Sequence, residues 1–280
     1  MGAMKFKEIL FMLGLRPSIK SYPHKLIELT NPQDGTPIQW AQWLHPKTNK
    51  IMPSFNDLSL LNKILSPGDL AIDIGAHIGD TTIPIAVAVG SSGLVIALEP
   101  NPATFKILEV NADKNQGVLN ICPLNAAAME SEGEFEFHYN DPGLANGGYR
   151  KGYSFLQIPA FFSVKVKGIN VSKYLIENYP DRLDKLRYIK TDCEGHDYSV
   201  FKSLKPLVTK SRPFIRMEIF DQMDLSEQKK LHAELTELNY RVYKIELADE
   251  FQFSLWEQDS IKKEKSNFDI LAAPAEKAFF

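Results

Sequence analysis

The chain has 280 residues, 44% hydrophobic and 24% charged, with a net charge of −3. This is ordinary globular usage for one large α/β domain or a domain with an added segment; bulk affinity for nucleic acid is not expected, although a local basic groove is not excluded. Cys122 and Cys193 are too few for a disulfide framework and read as small buried thiols, in keeping with a cytoplasmic chain, and no apolar run reaches the roughly 18 residues of a membrane span.

Met1-Gly2-Ala3 ahead of Met4 reads as a leftover of expression and is kept out of the fold reasoning. Phe6, Ile9, Leu10 and Leu13 share one face of a short amphipathic helix over Lys5–Leu15. That helix packs on the domain or on a second subunit, which makes a homo-oligomer one reading. Glu8 interrupts the apolar stretch and no small-residue cleavage site follows, so no signal peptide is expected. Prolines 17, 23, 32, 37, 46 and 53 break up regular structure and leave an irregular N-terminal cap over residues 1–54 with room for a hairpin. Trp40, Trp43 and His45 lie in this cap. Either it covers a cofactor or shapes an acceptor site, or its aromatics simply pack. Asn56 or Asp57 can cap a helix to Leu65, and Ser66-Pro67-Gly68-Asp69 is a turn.

The main domain, residues 55–280, is organised around Leu70–Thr82, LAIDIGAHIGDTT. An apolar strand runs into Asp73, the turn carries Gly75, Ala76, His77 and Gly79, and Asp80-Thr81-Thr82 starts a helix. Glycines permit positive φ and close approach, and a helix start offers free N–H groups. A dinucleotide site wants G-x-G-x-x-G. Here the pattern is D-x-G-x-x-x-G, one glycine fewer and an acid before the turn. An acid suits a cationic ligand and repels phosphate, and S-adenosylmethionine, with an ammonium, a sulfonium and no phosphate, fits. Pro84 is tolerable only in the first turn of the helix. Val95–Leu98 is a second strand ending at Glu99, whose carboxylate can accept both ribose hydroxyls. Dinucleotide folds place an acid there too, so Glu99 alone does not settle the cofactor.

Pro100-Asn101-Pro102 opens a helix to about Asn115, and Leu119–Leu124 is a third strand ending at Asn125. Glu134–Tyr139 alternates as a half-exposed strand. Asn140–Gly152 is a long glycine-rich loop, either a lid whose Arg150 and Lys151 meet an anionic substrate or a solvated loop. Val164–Lys167 reads as a strand and Val171–Tyr179 as a helix. Tyr188–Asp192 is the fourth core strand, followed by a helix from Gly195 to about Leu204. Phe214–Ile219, Tyr240–Ile245 and Phe268–Ala272 complete the strands, with a helix over Ser226–Leu238 and a charged insertion or hairpin end over Ala248–Ser266. Strands alternating with helices mean a mostly parallel, doubly wound sheet.

The Asp73–Gly79 turn, Glu99-Pro100-Asn101, Asn125-Ala126, the Asp192–His196 run (DCEGH) and the closing Asn267–Ala273 (NFDILAA) together resemble the FkbM family of S-adenosylmethionine-dependent methyltransferases. The resemblance spans about Phe55 to Pro274. It implies a Rossmann-like class I fold, with seven strands, the last antiparallel, and helices on both faces. It also implies S-adenosylmethionine held by Asp73, Gly75, Ala76, His77, Gly79, Asp80, Thr81, Thr82, Glu99, Pro100, Asn101, Asn125, Ala126 and Asp192. Asn125 would lie near the adenine, where an amide can exchange hydrogen bonds with the ring, or would serve only as a turn residue. The acceptor would be a small molecule or glycan hydroxyl on a sugar or secondary metabolite.

Methyl transfer from a sulfonium is an in-line displacement, mainly a positioning task, and an alcohol acceptor must also lose its proton. His196 is the candidate base because imidazole titrates near neutrality; Glu194 orients the acceptor or buttresses the turn, and Asp192 borders the methionine end of the cofactor. His196 at a helix start can equally serve backbone groups alone. Asp192 with Glu218 offers a place for magnesium as the alternative metal reading, while His77 lacks a His or Cys partner at metal spacing and reads as a turn residue. A nicotinamide-dependent oxidoreductase and a non-catalytic cofactor-binding scaffold are the competing functions.

Overall fold

The computed structural model describes residues 19–139, 143, 147–149, 162–247 and 252–277. The helix expected over Lys5–Leu15 lies outside the described residues, as does most of the Asn140–Gly152 loop with Arg150 and Lys151.

The main sheet has the order β13-β12-β14-β11-β10-β3-β4-β5. Its parallel part is β5 (Ile121–Leu124), β4 (Leu94–Leu98), β3 (Leu70–Ile74), β10 (Leu186–Thr191) and β11 (Phe214–Ile219). β14 (Phe268–Pro274) runs antiparallel between β11 and β12 (Tyr240–Leu247). These seven strands are the arrangement the resemblance implies. An eighth, β13 (Gln252–Leu255), pairs antiparallel with β12 at the edge, inside the segment expected to be an insertion or hairpin end.

Helices cover both faces because the strand residues alternate. Leu70, Ile72 and Ile74 join one buried cluster with α4 (Val171–Asn178), α5 (Asp197–Ser211) and α6 (Leu225–Glu237). Ala71, Val95 and Tyr188 join the other, with α1 (Leu58–Ile64), α2 (Thr82–Val89) and α3 (Pro102–Asp113). The chain winds outward from β3 through α2, β4 and α3, then returns to β10 on the other side of β3. The sheet therefore has its topological switch point between β3 and β10, where open α/β sheets hold their ligands.

Several local expectations change. Asp57 stands at the N-cap of α1 but makes no side-chain cap bond; its carboxylate is taken by Arg216 instead. α5 continues to Ser211, through Pro206. The ring removes one helical N–H, and one turn earlier the Ser172 hydroxyl donates to the Ser203 carbonyl at 2.6 Å. The N-terminal segment does hold a hairpin, β1 (His24–Thr30) with β2 (Pro37–Trp43). It is stitched to α3 by two asparagines: Ala41 N–H donates to Asn111 Oδ1 at 2.6 Å, and Gln39 N–H donates to Asn115 Oδ1 at 2.8 Å. Trp40 and Trp43 are buried in the core. This hairpin packs the domain and does not line the cleft described below.

A second sheet, order β6-β9-β7-β8, is built from β6 (Ala127–Ala128), β7 (Gly133–Tyr139), β8 (Gly147–Tyr149) and β9 (Phe162–Ile169). It stands over the switch point and forms the outer wall of the cleft. Among the described residues no helix is long and apolar enough to cross a membrane.

Candidate active site

The cleft lies at the carboxyl ends of β3, β4 and β10 and has a volume of about 280 Å³. Its floor is the turn after β3. Gly75 N–H and Ala76 N–H both donate to the Leu98 carbonyl, at 3.0 and 2.9 Å. Gly75 has φ +81°, and a Cβ there would stand 2.0 Å from the Asp192 carbonyl oxygen. Glycine is required here by the neighbouring strand, so close packing of β3 on β10 explains it without a ligand. His77 also has positive φ, 50°, which turns its N–H onto Glu99 Oε2 at 2.8 Å.

Glu99 is the fixed point of one end. Its other oxygen accepts Asn101 N–H at 2.8 Å, and Asn101 caps α3 by accepting Ala103 N–H at 2.9 Å. Each oxygen keeps a lone pair for a ligand hydroxyl. Burial pushes the Glu99 carboxyl above its ordinary range, against His77, the backbone donors and the Thr104 hydroxyl, which pull it down. For His77 burial acts downward, but the carboxylates of Asp80, Glu99 and Asp192 outweigh it and hold the imidazole above its usual value. His77 Nδ1 is 3.6 Å from Asp80 Oδ1.

The other end is the run after β10. Asp192 N–H donates to the Ile74 carbonyl at 3.0 Å, which binds this run to the turn. Glu194 and Gly195 take successive left-handed conformations, φ 51° and 91°. The chain reverses there and starts α5, with His196 at its N-cap and Asp197 in its first turn. The His196 side chain makes no cap bond. Asp197 is buried and accepts Cys193 N–H at 3.3 and 3.2 Å. Burial raises its carboxyl to about 6 and drives the Cys193 thiol well above its usual range. Glu218, at the end of β11, is pushed up to about 7 by burial and by the carboxylates of Asp192, Asp197 and Glu194.

Of the predicted site residues, Gly75, His77, Asp80, Thr81, Glu99, Pro100, Asn101, Ala126, Asp192, Glu194 and His196 line this one cleft. Asp73, Ala76, Gly79, Thr82, Asn125 and Glu218 do not. Asp73 is buried behind the turn, where Oδ2 accepts the Thr81 and Thr82 hydroxyls at 2.8 and 2.7 Å and Oδ1 faces Lys190 Nζ at 3.6 Å. Its charge is met by protein, so the argument that set it against a cationic ligand gives way. Asn125 Nδ2 donates to the carbonyls of Glu99 and Pro100 at 2.8 and 3.1 Å. Glu218 Oε1 accepts the Asn267 amide at 2.9 Å.

Sequence reasoning missed Lys190, Phe137, Tyr139 and the Ala127–Met129 wall. Lys190 did carry a signal: a charged residue inside an otherwise buried strand must have a partner. Tyr139 carried none, because the second sheet brings it to Glu99 from far along the chain. Its phenol is raised by burial and then by the Glu99 carboxylate.

The methyltransferase FkbM domain family matches residues 73–244. The hexuronic acid methyltransferase AglP of Haloferax volcanii is 29% identical over 188 residues, 65% of this chain and 71% of that protein. Among solved structures, methyltransferase FkbM from Methylobacillus flagellatus KT aligns over 81% of this chain and 50% of its own, at 12% identity and a TM-score of 0.49, so the present chain spans half of that protein's length. Fibrillarin of Aeropyrum pernix, solved with natively bound S-adenosyl-L-methionine, aligns over 92% of this chain and 97% of its own, at 12% identity and a TM-score of 0.43. The family match covers more than half of the chain and every residue that lines the cleft, and the chain belongs to the FkbM methyltransferase family.

Proposed function

We propose that the chain transfers a methyl group from S-adenosylmethionine to an oxygen of a sugar or glycan. The observation that carries the reading is the charge of the cleft. Among the described residues, Asp80, Glu99, Asp192 and Glu194 line it against one lysine, Lys190, an environment that attracts a cationic ligand and repels the pyrophosphate of a nicotinamide dinucleotide. Its volume of about 280 Å³ lies near the lower bound of roughly 300 Å³ for small-molecule sites. The sugar acceptor rests on the hexuronic acid methyltransferase relative.

The residues present fit this cofactor. Glu99, fixed by two backbone N–H groups, accepts the ribose hydroxyls. Phe137 and Ala126–Met129 wall the adenosine from water, and Asp192 takes the amino-acid end. S-adenosylmethionine supplies an electrophilic methyl on a sulfonium. With that methyl transferred and S-adenosylhomocysteine as the leaving group, His196 would take the acceptor's hydroxyl proton and Glu194 would orient the acceptor; both sit on the turn that opens α5. A magnesium ion fits poorly. Asp192 Oδ2 already faces Lys190 Nζ at 3.5 Å, Glu218 is turned to Asn267, and among the described residues no group of three His, Cys, Asp or Glu side chains is placed to hold a metal. No step is routed through one.

The test is incubation with methyl-labelled S-adenosylmethionine and p-nitrophenyl glucosides and glucuronides, in excess chelator. Labelled methyl glycoside supports the reading. Tight cofactor binding with no transfer to any hydroxylated acceptor favours a scaffold.

A further inference from the structure

Lys190 has no part in the mechanism above, yet it bridges a buried acid behind the turn and an acid that lines the cleft. It is the register partner of Asp73 across the parallel β3/β10 pairing. Its ammonium lies 3.6 Å from Asp73 Oδ1 and 3.5 Å from Asp192 Oδ2. The Asp73 side chain is fully buried and that of Asp192 is 42% exposed. One acid is locked in the fold and the other opens on the cleft. We propose that Lys190 is a positioning residue, anchored on Asp73 behind the turn and holding the Asp192 carboxylate aimed at the amino-acid end of the cofactor. This rests on the S-adenosylmethionine reading.

A buried lysine needs a partner, and Asp73 alone would neutralise it. The second pair, to a half-exposed cleft acid, is not needed for that. Burial pulls the ammonium toward its neutral form, but Asp73, Asp192 and Asp80 outweigh it and keep it charged. Asp192 otherwise stands among acids: Glu218 from β11, Asp197 and Glu194 from the start of α5, and Asp80 from the turn after β3. The His77 and His196 imidazoles and the Cys193 thiol complete the titratable groups around it. Among the described residues, Lys190 is the one lysine or arginine on the cleft wall beside these acids.

The probe is S-adenosylhomocysteine, titrated calorimetrically from about pH 4.5 to 8 into the wild type, Lys190→Arg and the double variant Lys190→Met/Asp73→Asn. The asparagine removes the buried charge that Lys190→Met would orphan and still accepts from Thr81 and Thr82. The wild type loses affinity as pH falls, and Lys190→Arg keeps that acid limb in place. The double variant moves the limb up by about one pH unit and binds about tenfold more weakly near pH 6. An acid limb unmoved in the folded double variant overturns the proposal. So does a double variant that does not fold, because Lys190 then serves the fold alone. A wild type that binds no S-adenosylhomocysteine at any pH overturns the cofactor reading first, and this proposal with it.

Discussion

Gly75 and Asp192 meet backbone to backbone. A Cβ on Gly75 would stand 2.0 Å from the Asp192 carbonyl oxygen, and Asp192 N–H donates to the carbonyl of Ile74 at 3.0 Å. The two motifs that define the family in this sequence are therefore one structural unit, and neither can move without the other. Gly75→Ala adds both that clash and an unfavourable positive φ. It is expected to cost about 3 kcal/mol or more, read as a lowered urea midpoint, and to abolish cofactor binding in whatever remains folded. Stability within ~0.5 kcal/mol of wild type would show that β3 and β10 are not packed as described.

Glu99→Gln removes the charge but keeps one carbonyl oxygen for either His77 N–H or Asn101 N–H. The remaining N–H then faces an amide NH2. We expect S-adenosylhomocysteine affinity to fall ~10- to 100-fold, equivalent to about 1.5–3 kcal/mol, with the far-ultraviolet circular dichroism unchanged. Unaltered affinity by calorimetry would remove Glu99 from the cofactor site.

Glu218 and Asp197 predict a pH dependence of stability. Their carboxyls are raised to about 7 and about 6 in the fold. The native chain therefore holds protons that the unfolded chain has released, and stability falls as pH rises between roughly 4 and 7. Glu276 is lowered to about 2, chiefly by its hydrogen bond from Arg212; its contribution is lost only on acidification below that window. Glu218→Gln should flatten the fall in melting temperature between about pH 4.5 and 7. An unchanged slope would show that Glu218 is not held protonated.

Arg216 ties α1 to the far half of the sheet. It pairs with Asp57 at the start of α1 and, through Nε and Nη2, with Asp269 Oδ2 on β14 at 2.7 and 2.6 Å. Burial opposes the charge, but Tyr188, Asp269 and Asp57 hold the guanidinium above its usual value. Arg216→Met orphans two partly buried carboxylates and should destabilise by ~2–3 kcal/mol. Adding Asp57→Asn should recover part of that loss in the same urea titration; the absence of recovery would mean that the pair does not couple the two elements.

What was legible in the sequence was what short range determines. The Asp73–Gly79 turn, Glu99 and the Asp192–His196 run could be read because a strand, a turn and a helix start sit within a dozen residues of one another. The limits of β11 were also legible, because Phe214–Ile219 alternates apolar residues with Arg216 and Glu218 directly after Pro213. Side-chain direction was not. Asp73 and Asn125 looked like ligand contacts, but each is spent on protein groups, the first on Thr81, Thr82 and Lys190, the second on backbone carbonyls. Asp57 matched a capping pattern, yet a residue 159 positions away claims its carboxylate. The helix expected to end near Leu204 continues to Ser211. Tyr139 reaches Glu99 only because a second sheet folds over the first, a relationship no local pattern encodes.

The most direct measurement is calorimetric titration of the purified protein with S-adenosylmethionine, S-adenosylhomocysteine and NAD, with and without magnesium. The account predicts micromolar binding of both adenosyl compounds, indifferent to magnesium, and none of NAD. Binding of NAD alone, or no binding of either adenosyl compound by folded protein, would contradict it.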